Sequence, residues 1–156
     1  MLQSMTLGTS LRHLLGLLDG DVQRAYEAAG LDYRPRFTPV VRALVGLGPQ
    51  SIRAIAVHSG LTHSAVSQTV AAMAKAGLVT CAAGRDERER IVTAAPRLIG
   101  MVPVLERIWA ATNAAAADLD GELAYPLSGI VAEAIAALEA TPFGERLAKK
   151  QTGDAC

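Results

Sequence analysis

The sequence predicts a mainly α-helical fold with one small β-hairpin set into it, on three observations. Apolar residues fill 51% of the 156 positions while aromatics fill only 4%, so the core is aliphatic and alanine-rich, which suits close-packed helices. Apolar residues recur at three- and four-residue spacing toward both ends of the chain. Between those stretches, around residues 78–93, two short β-branched runs flank a charged turn led by glycine.

The elements follow in order. Leu7, Leu11, Leu14, Leu18, Val22, Ala25 and Ala29 make one apolar stripe on a long first helix, which Gly30 stops. Thr38 is expected to cap a second helix, with Pro39 in its first turn, running through Val45 until Gly46, Gly48 and Pro49 end it. Ser51 caps a short helix from Ile52 to Ser59 that Gly60 closes, and Thr62 caps another, His63 to Ala76, that Gly77 terminates. Residues 78–81 read as a strand, 84–89 as a charged turn and 90–93 as the returning strand. Pro96 opens a long helix carrying Ile99, Val102, Leu105, Ile108 and Trp109, expected to reach about Asp118 and to break at Asp120 or Gly121. A last helix carries Leu123, Leu127, Ile130, Val131, Ile135 and Leu138. After Pro142 and Phe143, residues 149–156 read as a disordered tail.

Several functional classes are disfavoured. The longest uncharged stretch, Ala54 to Ala74, holds His58, Thr62, His63, Ser64, Ser67 and Gln68 and is too polar to span a bilayer. The N-terminal stretch lacks a basic flank, and Arg12, His13 and Asp19 interrupt it, so no secretory signal is expected. Cys81 and Cys156 match neither a metal spacing nor a disulfide framework, which points to a reducing cytoplasm. His13, His58 and His63 show no ligand spacing, so no metal and no cofactor is expected. No nucleophile elbow, phosphate loop or paired acid beside a histidine suggests an enzyme.

The formal net charge is zero, but its distribution is uneven. Residues 34–97 hold nine cations against three anions, whereas residues 1–33 carry a net −2 and residues 98–156 a net −4. A basic middle between acidic ends is the electrostatic footprint of phosphate binding.

That basic middle contains two short helices joined by a glycine turn and followed by a two-stranded hairpin, the order of a winged helix-turn-helix. Its internal spacing is more specific than its order. Ala56 is small where the helices touch, Gly60 permits the turn and Val66 anchors the second helix, at offsets of four and six residues. These residues carry a resemblance to the MarR family of multiple-antibiotic-resistance regulators. It extends over Ser51-Ile52-Arg53-Ala54-Ile55-Ala56, Gly60-Leu61-Thr62, Val66-Ser67-Gln68, Val70, Met73, Gly77-Leu78-Val79 and the wing Asp86-Glu87-Arg88 followed by Val92. Two features depart from the family pattern. Ala94-Ala95 stands where Leu-Thr is usual, and the helix after Thr62 lacks a charged base-contacting residue, its only charge being Lys75 at the far end.

The resemblance implies a winged helix-turn-helix domain over residues 34–95, flanked by dimerisation helices in residues 1–33 and 96–148. It implies a homodimer that inserts equivalent helices into successive major grooves of a palindromic double-stranded DNA site. Such regulators usually repress, and usually release DNA when a small molecule or oxidant binds.

Within this frame His63, Ser64, Ser67, Gln68 and Ala71 share one face of the second short helix, opposite Val66, Val70 and Met73. Glutamine can bond adenine bidentately and serine can contact base or phosphate, so Thr62, His63, Ser64, Ser67 and Gln68 are the candidate base-side contacts. Arg85, Arg88 and Arg90 in the wing and Arg53 before it are candidate phosphate contacts, with Arg36 and Arg42 weaker ones. Asp86, Glu87 and Glu89 neutralise the wing locally, and an Asp86–Arg88 pair would stiffen it. Tyr26, Tyr33, Phe37 and Trp109 are candidates to line an effector pocket, although lone aromatics more often pack in cores. Two other readings remain: a thiol switch on the same fold using Cys81 or Cys156, and a winged-helix protein adaptor. Cys81 reads as a small buried apolar residue with no adjoining cation to lower its pKa.

Overall fold

The structure is a computed structural model that describes residues 5–86 and 88–153. It contains seven α-helices and a three-stranded antiparallel sheet among those residues. In chain order these are α1 (Leu7–Ala28), a 3-10 turn (Pro35–Phe37), α2 (Thr38–Leu47), β1 (Gln50–Ser51), α3 (Ile52–Ser59), α4 (His63–Lys75), β2 (Val79–Ala83), β3 (Arg90–Ala94), α5 (Pro96–Glu122), α6 (Leu127–Ala140) and α7 (Phe143–Gly153). One compact unit runs to Trp109 and a second begins at Ala110.

The first unit is built on a helix-turn-helix seated against a hairpin. Ser51 Oγ accepts the Ala54 N–H at 3.1 Å and starts α3, and Thr62 Oγ1 accepts the Ala65 N–H at 3.1 Å and starts α4. Gly60 joins them at φ +67°, a left-handed backbone that a side chain would strain. Gly77, at φ +71°, ends α4 in a paired closure. Its N–H donates to the Ala74 carbonyl and the next N–H, from Leu78, to that of Met73. The chain thereby enters β2 with Leu78 and Val79 turned inward, and both are buried.

β3 lies between β1 and β2, pairing Cys81 with Val92 on one edge and Gln50 with the same Val92 on the other. The core gathers Val40, Val41 and Leu44 of α2, Ile55 and Ala56 of α3, Val66, Val70 and Met73 of α4, Val92 of β3, and Leu98 and Leu105 of α5. Tyr26 of α1 joins it, edge-on to Tyr33, which is edge-on to Phe37. Burial pushes the Tyr33 phenol above its ordinary pKa.

Several elements differ from the sequence expectation, each for a local reason. Thr38 does not cap α2. The 3-10 turn runs straight into the helix, so Thr38 already has helical angles (φ −53°, ψ −46°), whereas a capping residue needs extended backbone. Its hydroxyl instead accepts a bond from the Tyr33 hydroxyl at 3.2 Å. α2 continues past Gly46 to Leu47 and stops at Gly48 (φ +76°). β1 has only two residues, too few to leave a periodic signal.

In the second unit, α5 passes through Asp120 and Gly121 to Glu122, and Leu123 lies in the turn before α6. Asp120 fixes that turn rather than breaking the helix. Its carboxylate accepts the Ser128 N–H at 3.1 Å and the Ser128 hydroxyl, and both bonds hold its pKa below the usual carboxylate range. α6 has no buried residue, with Ile130, Val131, Ile135 and Leu138 all exposed. α7 continues through Lys149 to Gly153, where a disordered tail was expected. Thr152 Oγ1 bonds back to the Ala148 carbonyl within it. Cys156 lies outside the described residues.

Candidate nucleic-acid interface

α4 presents two unlike sides because its apolar positions recur with the helical period. Val66, Thr69, Val70 and Met73 are buried, while His63, Ser64, Gln68 and Ala71 are exposed and Ser67 is half-buried. Among the described residues no hydrogen bond engages the side chains of His63, Ser64, Ser67 or Gln68. Thr62 stands exposed beside them, with its oxygen committed to the cap.

The wing turn between β2 and β3 is held by backbone bonds. The Gly84 N–H donates to the Glu89 carbonyl at 2.7 Å and the Glu89 N–H to the Asp86 carbonyl at 2.8 Å. A Cβ at Gly84 would stand 3.2 Å from the Glu89 Cβ, so glycine allows the strands to come this close. Asp86 does stiffen the turn, though not through a guanidinium. Its Oδ1 accepts the backbone N–H of Arg88 at 3.0 Å, and no ion pair takes up Arg88 among the described residues. Glu87 lies outside the described residues.

Between α4 and the wing runs a groove of about 490 Å³. Ser51, Ile52 and Arg53 line it from the start of α3, His63 and Ser67 from α4, and Asp86, Arg88, Glu89 and Arg90 from the wing. Five candidate residues, Arg53, His63, Ser67, Arg88 and Arg90, therefore meet at one place. Three guanidiniums face two carboxylates there, and no ion pair forms between them among the described residues. Such a surface can take a phosphate while keeping its arginines spaced. Arg85 is exposed on the wing but is not among the groove-lining residues, nor are Thr62, Ser64 and Gln68.

Three other arginines of this region do other things. Arg42 lies over the Trp109 ring at 4.9 Å and Arg36 over Phe37 at 5.6 Å. Arg97 donates to the Ala76 carbonyl at 2.9 Å. The sequence offered no signal for the Arg42 or Arg97 contacts, since each joins residues far apart in the chain. Tyr26, Tyr33, Phe37 and Trp109 are all buried in the core, and Trp109 Nε1 donates to the Tyr26 hydroxyl at 3.1 Å. Cys81 is half-buried on β2. Among the described residues no cluster of three or more His, Cys, Asp or Glu is placed to hold a metal ion, and no single helix is long and apolar enough to cross a membrane.

The family model that matches this arrangement is that of the MarR family, over residues 38–89. Over those residues, about a third of its length, the chain is similar to that family. Solved structures agree on the fold across most of the chain. The Mycobacterium tuberculosis transcriptional regulator MosR, in complex with DNA, is similar with a TM-score of 0.70 at 16% identity, over 88% of this chain and 99% of that one. Overoxidized AbfR bound to DNA gives 0.63 at 16% identity, over 86% and 90%. A MarR family regulator from Neisseria meningitidis gives 0.57 at 17% identity, over 92% and 95%. No curated protein sequence matches the chain.

Proposed function

We propose that this chain is a sequence-specific transcription regulator, not an enzyme, that represses by binding a palindromic operator as a homodimer. One observation carries the reading: the exposed polar face of α4 has no partners within the described residues and stands beside a groove holding Arg53, Arg88 and Arg90. A helix positions base-reading groups in a major groove while arginines hold the flanking phosphates. The DNA complexes of MosR and AbfR, which share this fold, support it.

The helices outside residues 34–95 supply the dimer contact. α6 has only Ser128, Glu133 and Glu139 as polar side chains yet no buried residue, and Leu7, Leu11, Leu15 and Leu18 of α1 are exposed as well. Exposed apolar faces of this kind need burial, which a second copy provides. Two-fold symmetry then implies a palindromic site.

Release by a small molecule has a candidate location in a cavity of about 430 Å³. Leu44, Val45, Gly48 and Pro49 at the end of α2, Thr93 and Ala94 of β3, and Ile99, Val102 and Pro103 of α5 line it. Its size and apolar walls suit a small hydrophobic ligand. A ligand there touches β3, which carries the wing, and can favour one placement of the wing over another.

A mobility-shift assay with the DNA flanking the protein's own gene tests the regulator reading. A discrete shifted complex with two chains per site is the expected result. No shift at any protein concentration contradicts the reading and favours a winged-helix adaptor.

A further inference from the structure

The groove divides the exposed residues of α4 into two rows with different surroundings. His63 and Ser67, four residues apart, line the groove with Arg53, Arg88 and Arg90. Ser64, Gln68 and Ala71, spaced by four and three, form a second exposed row that does not line it. The first row therefore shares its space with the phosphate-binding arginines. The second row stands free of them.

What the second row can read follows from its chemistry. A carboxamide pairs bidentately with the N6 and N7 edge of adenine, and a methyl group packs on the C5-methyl of thymine. Guanine is read bidentately by arginine or lysine. α4 has no arginine, and its only lysine, Lys75, is its last residue, roughly 10 Å along the axis from Gln68. Base contacts come from the N-terminal part of a recognition helix, so Lys75 is too far back to serve. Ser64 accepts either base, which leaves Gln68 to set the choice.

We propose that Gln68 makes α4 an adenine reader: each half-site carries an adenine bound through its N6/N7 edge by Gln68, and no residue in the N-terminal half of this helix binds guanine bidentately. The inference rests on the regulator reading above and adds the base composition of the site.

The test uses the intact protein in rounds of selection from a random duplex library, then substitution in the selected duplex of 7-deazaadenine, which lacks the N7 acceptor. A·T pairs should be enriched at one symmetric position per half-site, and 7-deazaadenine there should weaken binding roughly 5- to 150-fold. Gln68→Ala should be indifferent to that substitution, and Gln68→Arg should move the preference to G·C at the same position. Arg88→Ala should weaken binding yet keep the A·T preference. Enrichment of G·C at that position, or a 7-deazaadenine penalty that survives in Gln68→Ala, overturns the inference and leaves the regulator reading standing. Binding without any sequence preference overturns the inference and the claim of specificity, and no binding at all overturns both readings.

Discussion

Arg97 Nη1 donates to the Ala76 carbonyl at 2.9 Å, and its other terminal nitrogen lies 3.8 Å from Asp32. One side chain at the start of α5 therefore satisfies the carbonyl that caps α4 and reaches the loop after α1. Helix C-termini leave carbonyls without intrahelical partners, and a cation there also meets the negative end of the helix dipole.

The first prediction concerns that contact. Arg97→Ala should cost about 0.5–1.5 kcal/mol, the usual net worth of one hydrogen bond. The Asp32 pair adds little because both side chains are at least half exposed. Chemical denaturation checks the stability, and the salt dependence of DNA binding should stay that of the parent protein. A flattened salt slope would place Arg97 on DNA instead.

Tyr26→Phe should destabilise more than its single lost oxygen suggests. Trp109 Nε1 would be left buried with no acceptor in place of the Tyr26 hydroxyl, at about 1–3 kcal/mol. Because Trp109 is the only tryptophan, its emission follows the change directly. Arg42→Ala removes the guanidinium over that ring and should cost about 0.5–1 kcal/mol without altering DNA affinity.

Asp120 gives a pH dependence with a definite sign. Its pKa is lowered first by the Ser128 hydroxyl and then by the Ser128 N–H. A carboxylate whose folded pKa lies below its unfolded value stabilises the folded form above the unfolded pKa, near 3.9. That contribution is lost as pH falls through the folded value. The α5–α6 corner should thus stay intact at neutral pH and loosen only in strong acid. Amide exchange at Ser128 should speed up there, and Asp120→Asn should show faster exchange already at pH 7. Equal exchange in both proteins would deny the corner its anchor.

The dimer prediction rests on α6. Ile135 and Leu138 are exposed in the isolated chain, so Ile135→Asp with Leu138→Asp should leave the fold of one chain intact. Light scattering should report two chains per particle for the parent and one for the variant, with DNA affinity lost in the variant. A folded parent monomer at micromolar concentration would contradict the dimer.

Much of the helix-turn-helix was legible because its determinants are local. Ser51, Gly60, Thr62 and Gly77 each act within a few residues of themselves, and Val66, Val70 and Met73 follow the helical period. The misreadings arose where a neighbour outside that range decides. Thr38 is drawn into α2 by the preceding turn and by Tyr33, and Asp120 is held in α5 by Ser128 across the corner. At the candidate site the sequence placed His63, Ser64, Ser67 and Gln68 on one face. Only the folded wing separates them, by setting Arg88 and Arg90 beside His63 and Ser67.

The most direct test of the division of labour between α4 and the wing is the slope of log K against log salt, measured on a selected duplex and a scrambled one. If Arg88 contacts one phosphate per chain, Arg88→Ala removes two contacts per dimer and should flatten the slope by roughly 1.8 on both duplexes. Gln68→Ala should keep the slope and lose about 1–3 kcal/mol per base contact on the selected duplex alone. An unchanged slope in Arg88→Ala, or equal weakening of both duplexes by Gln68→Ala, would contradict the assigned roles.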